Sequence, residues 1–167
     1  GLSESRRASS TLPITESGYA NHRITRGLAN YEVRMTGCAP LAVEDQNKKE
    51  YRIKKLLTSV PSSWGETSDL EDLKDSEFEE NADIAGPVVA GLAVERVVKT
   101  KKQPKIGGSG GSRKEMRPKM AIYGSSQAFT NMGISQNRPN LYLGLNTVNW
   151  LTGKQYLTGI PPRTIDV

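Results

Sequence analysis

Few side chains in this sequence have a type and spacing that could make or break a bond. The turn Gly124-Ser-Ser-Gln-Ala128 follows the apolar run Met120-Ala-Ile-Tyr123. It loosely fits the elbow that raises a nucleophilic serine at a strand-to-helix junction, with Ser126 as nucleophile and Ala128 where glycine is usual. Such a serine needs a histidine base, which in hydrolases of that architecture follows it in the chain. The one histidine, His22, lies far upstream. Serines in a turn of this kind more often bond nearby backbone or cap the next helix. Cys38 and His22 would make a thiol–imidazole pair, yet loop and strand separate them and no oxyanion-hole signature stands near Cys38. The expectation is a non-enzyme, with a hydrolase using Ser126 or Cys38 as the alternative.

Metal and cofactor chemistry fare no better. One His and one Cys cannot close a zinc site, and a single cysteine excludes an internal disulfide. The acidic run between Glu66 and Asp83 lacks the Asp-x-Asp-x-Asp-Gly pattern of a calcium loop. Gly107-Gly-Ser-Gly-Gly-Ser112 is followed by Arg113-Lys114, not by the Lys-Ser/Thr and helix that a phosphate-cradling loop requires. No cofactor and no metal are expected. The 107–112 segment reads as a flexible Gly/Ser linker of the kind used in engineered loop replacements.

The elements that must position the turn are legible from periodicity. Leu141, Leu145, Val148 and Leu151 recur at spacings of four, three and three, one face of a helix over 138–152. Asn137 or Asn140 can cap its start and Gly153 can end it, with Trp150 in the core and Asn146 and Asn149 on one edge. Residues 88–98 read as a strand buried on both faces at its start and half-exposed at its end. Tyr31, Val33 and Met35 alternate with polar residues, and Tyr51 to Val60 forms another strand, stopped by Pro61. The 88–98 and 119–123 strands should lie side by side. Leu70, Leu73 and Phe78 allow at most a short helix. The result is one α/β domain over 19–163, a mixed β-sheet with flanking helices, preceded by a flexible arm (1–18) and followed by a short tail (164–167).

Composition sets the remaining limits. At 167 residues, 35% hydrophobic and 6% aromatic, the chain can build a modest core with sizeable polar loops. No run approaches the roughly 20 apolar residues of a membrane helix, and no signal-peptide centre is evident; the chain reads as soluble, with any membrane attachment outside it. The net charge of +5 conceals segregation. Nine acidic residues and one lysine occupy 66–83, whereas eight basic residues and one glutamate occupy 99–119. No aromatic interleaves the basic stretch, so the stacking platforms of a nucleic-acid binder are missing. A basic-loop nucleic-acid binder stays only as a further alternative. Trp64, in Ser62-Ser-Trp-Gly-Glu66, can stack on a sugar, meet a partner, or fold back over an open end of the core.

Four phrases stand in order along the chain: Asn21-His-Arg-Ile-Thr-Arg-Gly27, Leu57-Thr-Ser-Val-Pro-Ser-Ser-Trp-Gly-Glu66, Asp83-Ile-Ala-Gly-Pro-Val-Val-Ala-Gly-Leu-Ala-Val-Glu95, and Ile122-Tyr-Gly-Ser-Ser-Gln-Ala-Phe-Thr-Asn131 with Asn146-Thr-Val-Asn-Trp-Leu-Thr-Gly153. Ile160-Pro-Pro-Arg163 closes them. Together they resemble the extracytoplasmic domain of auxiliary proteins of gliding-motility type (GldG-like) ABC transporters, which is related to a segment of intraflagellar transport proteins. The resemblance implies a flavodoxin- or glutamine-amidotransferase-like carboxyl-terminal portion and a non-catalytic role in ligand or partner binding. It further implies a periplasmic location, a transporter permease or envelope protein as partner, and membrane contact only through segments outside this chain. A small ligand, if any, would sit at Gly124, Ser125, Ser126, Gln127 and Asn131, with Trp64 as a further contact. The family's turn usually reads Gly-Asp-Ser-Asp-Phe; here the corresponding side chains are neutral.

Overall fold

Alternation of apolar and polar residues sets the first strand pairing. The computed structural model describes residues 11–44, 50–67, 77–97 and 118–157. Strand β1 (Thr11–Ile14) runs antiparallel to β2 (Val33–Thr36), with Ile14 opposite Val33 and Thr11 opposite Thr36. Val33 and Met35 are buried while Arg34 between them is exposed, the period of two that a half-buried strand requires. The hydroxyl of Tyr19 holds the pair together. It accepts the Val33 N–H at 3.0 Å and faces two acceptors for its proton, the carbonyls of Ile14 at 2.7 Å and Tyr31 at 2.9 Å. Burial pushes this phenol up to about 12. The arm expected over 1–18 is therefore ordered core structure over its described part, 11–18, because Ile14 is 0% exposed and covered by the rest of the core; residues 1–10 lie outside the described residues.

The central sheet has the order β3 (Tyr51–Thr58), β6 (Val89–Arg96), β7 (Lys119–Tyr123). Between β3 and β6 in the chain stand two short strands, β4 (Trp64–Gly65) and β5 (Ile84–Ala85), paired with each other. A register shift around Leu56 lets two consecutive leucines, Leu56 and Leu57, both turn inward, the usual effect of a bulge. β6 is buried from Val89 to Ala93 and opens toward Arg96, as its composition predicts. β6 and β7 lie side by side, Gly91 opposite Tyr123 and Glu95 opposite Lys119.

Over the described residues the molecule is α/β in the coarse sense, with two α-helices and several antiparallel pairings. The expected mixed sheet is not what forms: every registered pairing among the described residues is antiparallel. Parallel neighbours require crossover connections of a dozen or more residues, most often helical, and both helices follow β7, the last strand. The 98–117 connection, including the Gly/Ser segment, the acidic stretch 68–76 and the tail lie outside the described residues.

Two helices follow β7. Helix α1 (Asn131–Gln136) is capped by Thr130, whose hydroxyl accepts the Gly133 N–H at 3.1 Å. Helix α2 (Arg138–Leu151) starts at Asn137 with Pro139 in its first turn, and Gly153 follows its end at φ 77°, the left-handed position that favours glycine. Asn137 occupies the capping position but its carboxamide donates to the Glu32 carbonyl at 3.1 Å instead.

The face that α2 buries is not the leucine face. Leu141, Leu145, Val148 and Leu151 are all exposed, Leu145 by 51% and Val148 by 56%, while Asn140, Leu143, Asn146, Thr147 and Trp150 point inward. Two carboxamides explain the choice. Asn140 accepts the Arg34 N–H at 3.1 Å and donates to the carbonyls of Arg34 at 2.9 Å and Ala128 at 3.0 Å, so it acts as one residue of strand pairing against β2. Asn146 donates to the carbonyls of Ile24 at 3.0 Å and Arg26 at 3.2 Å. Turning the leucines inward would strand those backbone groups, at a cost of about 1–3 kcal/mol for each one left buried. Leu143 and Trp150, at 0% and 1% exposure, supply the apolar volume on the same face.

Asn140→Ala should therefore destabilise the domain by about 2 kcal/mol, because three hydrogen bonds go and the Ala128 carbonyl is left buried. Leu145→Glu, on the exposed face, should change stability by less than about 0.5 kcal/mol. Urea denaturation of both variants checks the orientation; a large loss for Leu145→Glu with little for Asn140→Ala would reverse the helix.

Candidate functional site

The turn singled out in the sequence is a closed hydrogen-bonded corner. Gly124 donates its N–H to Ala90 and accepts from the N–H of Ala39, both at 3.0 Å. A Cβ here would come within 2.1 Å of the Ala39 carbonyl oxygen, so only glycine allows the two chains to approach. Cys38 and Ser125 form an isolated antiparallel bridge. The Ser125 hydroxyl donates to the Thr36 carbonyl at 2.5 Å and accepts the Ala128 N–H at 3.1 Å, which fixes the turn and leaves that oxygen no free role. Ser126, Gln127 and Asn131 are exposed. Gly124, Ser125, Ser126 and Gln127 thus share one corner, and Asn131 opens α1 beside it.

Trp64 does not join them. It sits on the β4–β5 ribbon, where its indole N–H donates to the Glu66 carboxylate at 3.4 Å and its ring meets Phe78 edge-on at 6.3 Å. Among the described residues no hydrogen bond or ring contact links it to the turn. The thiol and the imidazole are likewise apart. Cys38 stands beside Ser125, past the end of β7, whereas His22 packs against Trp150, whose carbonyl meets Lys119 at the start of β7. Burial pushes the Cys38 thiol up to about 11, so at neutral pH it is protonated and weakly nucleophilic. No group of three or more His, Cys, Asp or Glu among the described residues could hold a metal ion.

A concavity lies at the other end of the sheet. A cleft of about 560 Å³ opens between the 21–27 loop, β3, β6 and the end of α2. Arg52 and Lys54 stand two apart on β3 and so project from one face; their partners across on β6 are Glu95 and Ala93. The loop contributes Asn21, His22, Arg23 and Arg26. Its shape is locked by Ile24, which is fully buried, and by the Thr25 hydroxyl, which reaches the carbonyls of Ala20 at 2.5 Å and His22 at 3.0 Å. Asn146 holds the far side through Ile24 and Arg26.

Trp150 forms the floor. The His22 ring meets it edge-on at 5.1 Å, and the Lys119 ammonium sits 4.9 Å over it while donating to the Trp150 carbonyl at 2.8 Å. A cation there suits both the π-face and the carbonyls at a helix end. The charge balance is strongly positive: among the described residues that line the cleft, Arg23, Arg26, Arg52 and Lys54 stand against one carboxylate, Glu95, with Lys119 beside them over Trp150. The one salt bridge among the described residues, Arg34 to Glu32 at 2.8 Å, lies elsewhere. Desolvation lowers the Lys119 pKa, with Glu95 opposing and Arg23 adding. His22 is also lowered, first by burial, with Lys54, Lys119 and Arg23 adding to it and Glu95 opposing.

Little in the sequence marks this cleft. Of the basic stretch 99–119 only Lys119 is described near the site, and Arg23 and Arg26 stand in a loop with no periodicity to mark them. The one local signal was the Arg52-x-Lys54 alternation on a strand. No protein-family model, curated protein or solved structure shows significant similarity to this chain.

His22 gives a pH signature. Its Nδ1 accepts the Ile24 N–H at 3.2 Å, which protonation of that nitrogen would remove. As pH falls through the ordinary value of 6.5, the unfolded chain takes the proton before the folded one does. The stability tied to neutral His22 is thus fully present above that value and is lost as pH drops toward the lower folded value. Urea titrations should show the stability gap between wild type and His22→Gln narrowing from pH 7 to pH 5. A gap that stays constant would mean that His22 is not held neutral.

Proposed function

We propose that this chain is a non-catalytic binding domain of an ABC-type transport auxiliary protein of the gliding-motility kind. In this reading it works on the extracytoplasmic side of the membrane, against a transporter permease or an envelope protein, and is tethered through segments beyond these residues. Two things support it. The phrases that carry the resemblance meet in space, Asn146 of the last holding Ile24 and Arg26 of the first. A strand, a turn and helices stand in the order that the resemblance expects, β7 then α1 and α2, although β7 pairs with its neighbour β6 antiparallel, unlike the parallel strands of a flavodoxin-like sheet. No helix among the described residues is long and apolar enough to cross a membrane.

The single observation that carries the non-catalytic reading is the chemistry of the corner. Ser125 is fully engaged with backbone, Cys38 is held protonated, and the exposed Ser126 has no histidine, because His22 is committed to Trp150. Bond-breaking by a serine or thiol requires a base within hydrogen-bond reach. Exposed groups without charge beside a rigid turn suit docking, because charged residues are depleted at the core of protein interfaces.

The test joins two measurements on the full-length parent protein. Co-expressed with the permease and ATPase of its own transport system, it should co-isolate with them in detergent, and Ser126→Trp with Gln127→Trp should abolish this while the fold is kept. An ester, amide and glycoside panel should show no turnover that Ser126→Ala or Cys38→Ala removes. Turnover lost in either alanine variant would replace the binding reading with a hydrolase.

A further inference from the structure

We infer that the cleft beneath the 21–27 loop binds a small phosphate-bearing ligand, its phosphate held by Arg23, Arg26, Arg52 and Lys54 and its hydroxyl- or amine-bearing body turned toward Glu95. The site is separate from the corner turn and does not depend on the transport reading.

The volume, about 560 Å³, suits a ligand of metabolite or headgroup size. Four cations reach it from two independent elements, a loop and a strand, and none has a carboxylate at ion-pair distance among the described residues. Their mutual repulsion persists unless an anion fills the space, and a cleft lined by one sign of charge concentrates such an anion. Three of the four are arginines, whose planar forks match phosphate oxygens two at a time. A phosphate monoester carries about −1.5 to −2 charge at neutral pH, the right order for such a ring of donors.

The walls are built in advance. The backbone of the 21–27 loop is held by Asn146 and by Thr25, and the two β3 cations stand on a paired strand. The ligand therefore meets an ordered frame, which lowers the ordering cost of binding.

Two features narrow the ligand. Trp150 is 1% exposed, with His22 at its edge and Lys119 over its face, so it offers no surface for a base to stack on. That removes the contact by which single-stranded nucleic acid is generally held. Glu95 places one negative charge among the positive ones, opposite Arg52. A second phosphate would be repelled there, whereas a hydroxyl or an ammonium would be accepted. The shared chemistry, one phosphate on a donor-bearing body, occurs both in soluble phosphate esters and in phospholipid headgroups.

The experiment uses the whole chain and two probes. Glycerol 3-phosphate is titrated by calorimetry, and sedimentation measures binding to vesicles of equal parts phosphatidylcholine and phosphatidylglycerol, with pure phosphatidylcholine as control. Binding of the soluble ester identifies a free metabolite; binding of the anionic vesicles alone identifies a headgroup. In either case Arg26→Gln and Arg52→Gln should each weaken binding about tenfold or more, the loss of one charge-assisted contact. Arg52→Lys should recover only part, since charge returns without the fork. Arg34→Gln, off the cleft, should leave binding unchanged. Glu95→Gln should strengthen binding of inorganic phosphate more than that of glycerol 3-phosphate. Circular dichroism confirms that each variant is folded. Failure of both probes to bind, or equal weakening by Arg34→Gln and Arg52→Gln, would overturn the assignment.

Discussion

The interaction on which the rest depends is a pair of buried carboxamides on one helix. Asn140 completes the outer edge of β2 and ties it to Ala128, while Asn146 captures two carbonyls of the 21–27 loop. Backbone groups of loops and strand edges cannot be buried without partners. Here the helix provides those partners six residues apart, both on its buried side. With α2 turned that way, Trp150 necessarily points at His22 and Lys119, and Leu143 fills the space between.

That orientation divides the chemistry of the molecule along β7. Past its end the chain makes a tight corner in which Gly124 touches Ala39, Ser125 bonds backbone on both sides and Cys38 is desolvated. At its start, Lys119 joins the cations of the cleft. The corner is satisfied and neutral; the cleft is open and positive. Burial acts in the same direction on His22 and Lys119, disfavouring charge on the groups nearest Trp150, while Arg23, Arg26, Arg52 and Lys54 stay exposed to solvent.

Strands and helices were legible wherever one residue type dominates a face. The run from Val89 to Ala93 reads as a buried strand because small and branched residues leave no polar group to satisfy, and the structure buries all five. Gly153 ends α2 as expected, since few other residues accept its positive φ. Trp150 as core was equally plain from its size. The arm was misread because Pro13 and Gly18 suggest a loop, yet β1 has one neighbour among the described residues and tolerates a proline. The helix face was misread because leucine spacing was weighed and the hydrogen-bonding needs of distant backbone were not.

The sequence by itself determined the strands around Val33, 51–58, 89–96 and 119–123 and the position of the long helix, though not β1 or the short β4–β5 pair. These follow from local sterics and from hydrophobic period. Only tertiary structure decided that the asparagines face inward, that the pairings are antiparallel, and that a loop and a strand well separated in the chain put their arginines around one cleft. The reason is that hydrogen-bond satisfaction and charge convergence are properties of pairs brought together by folding. Neither Asn146 nor Arg26 carries any local sign of the partners it will meet.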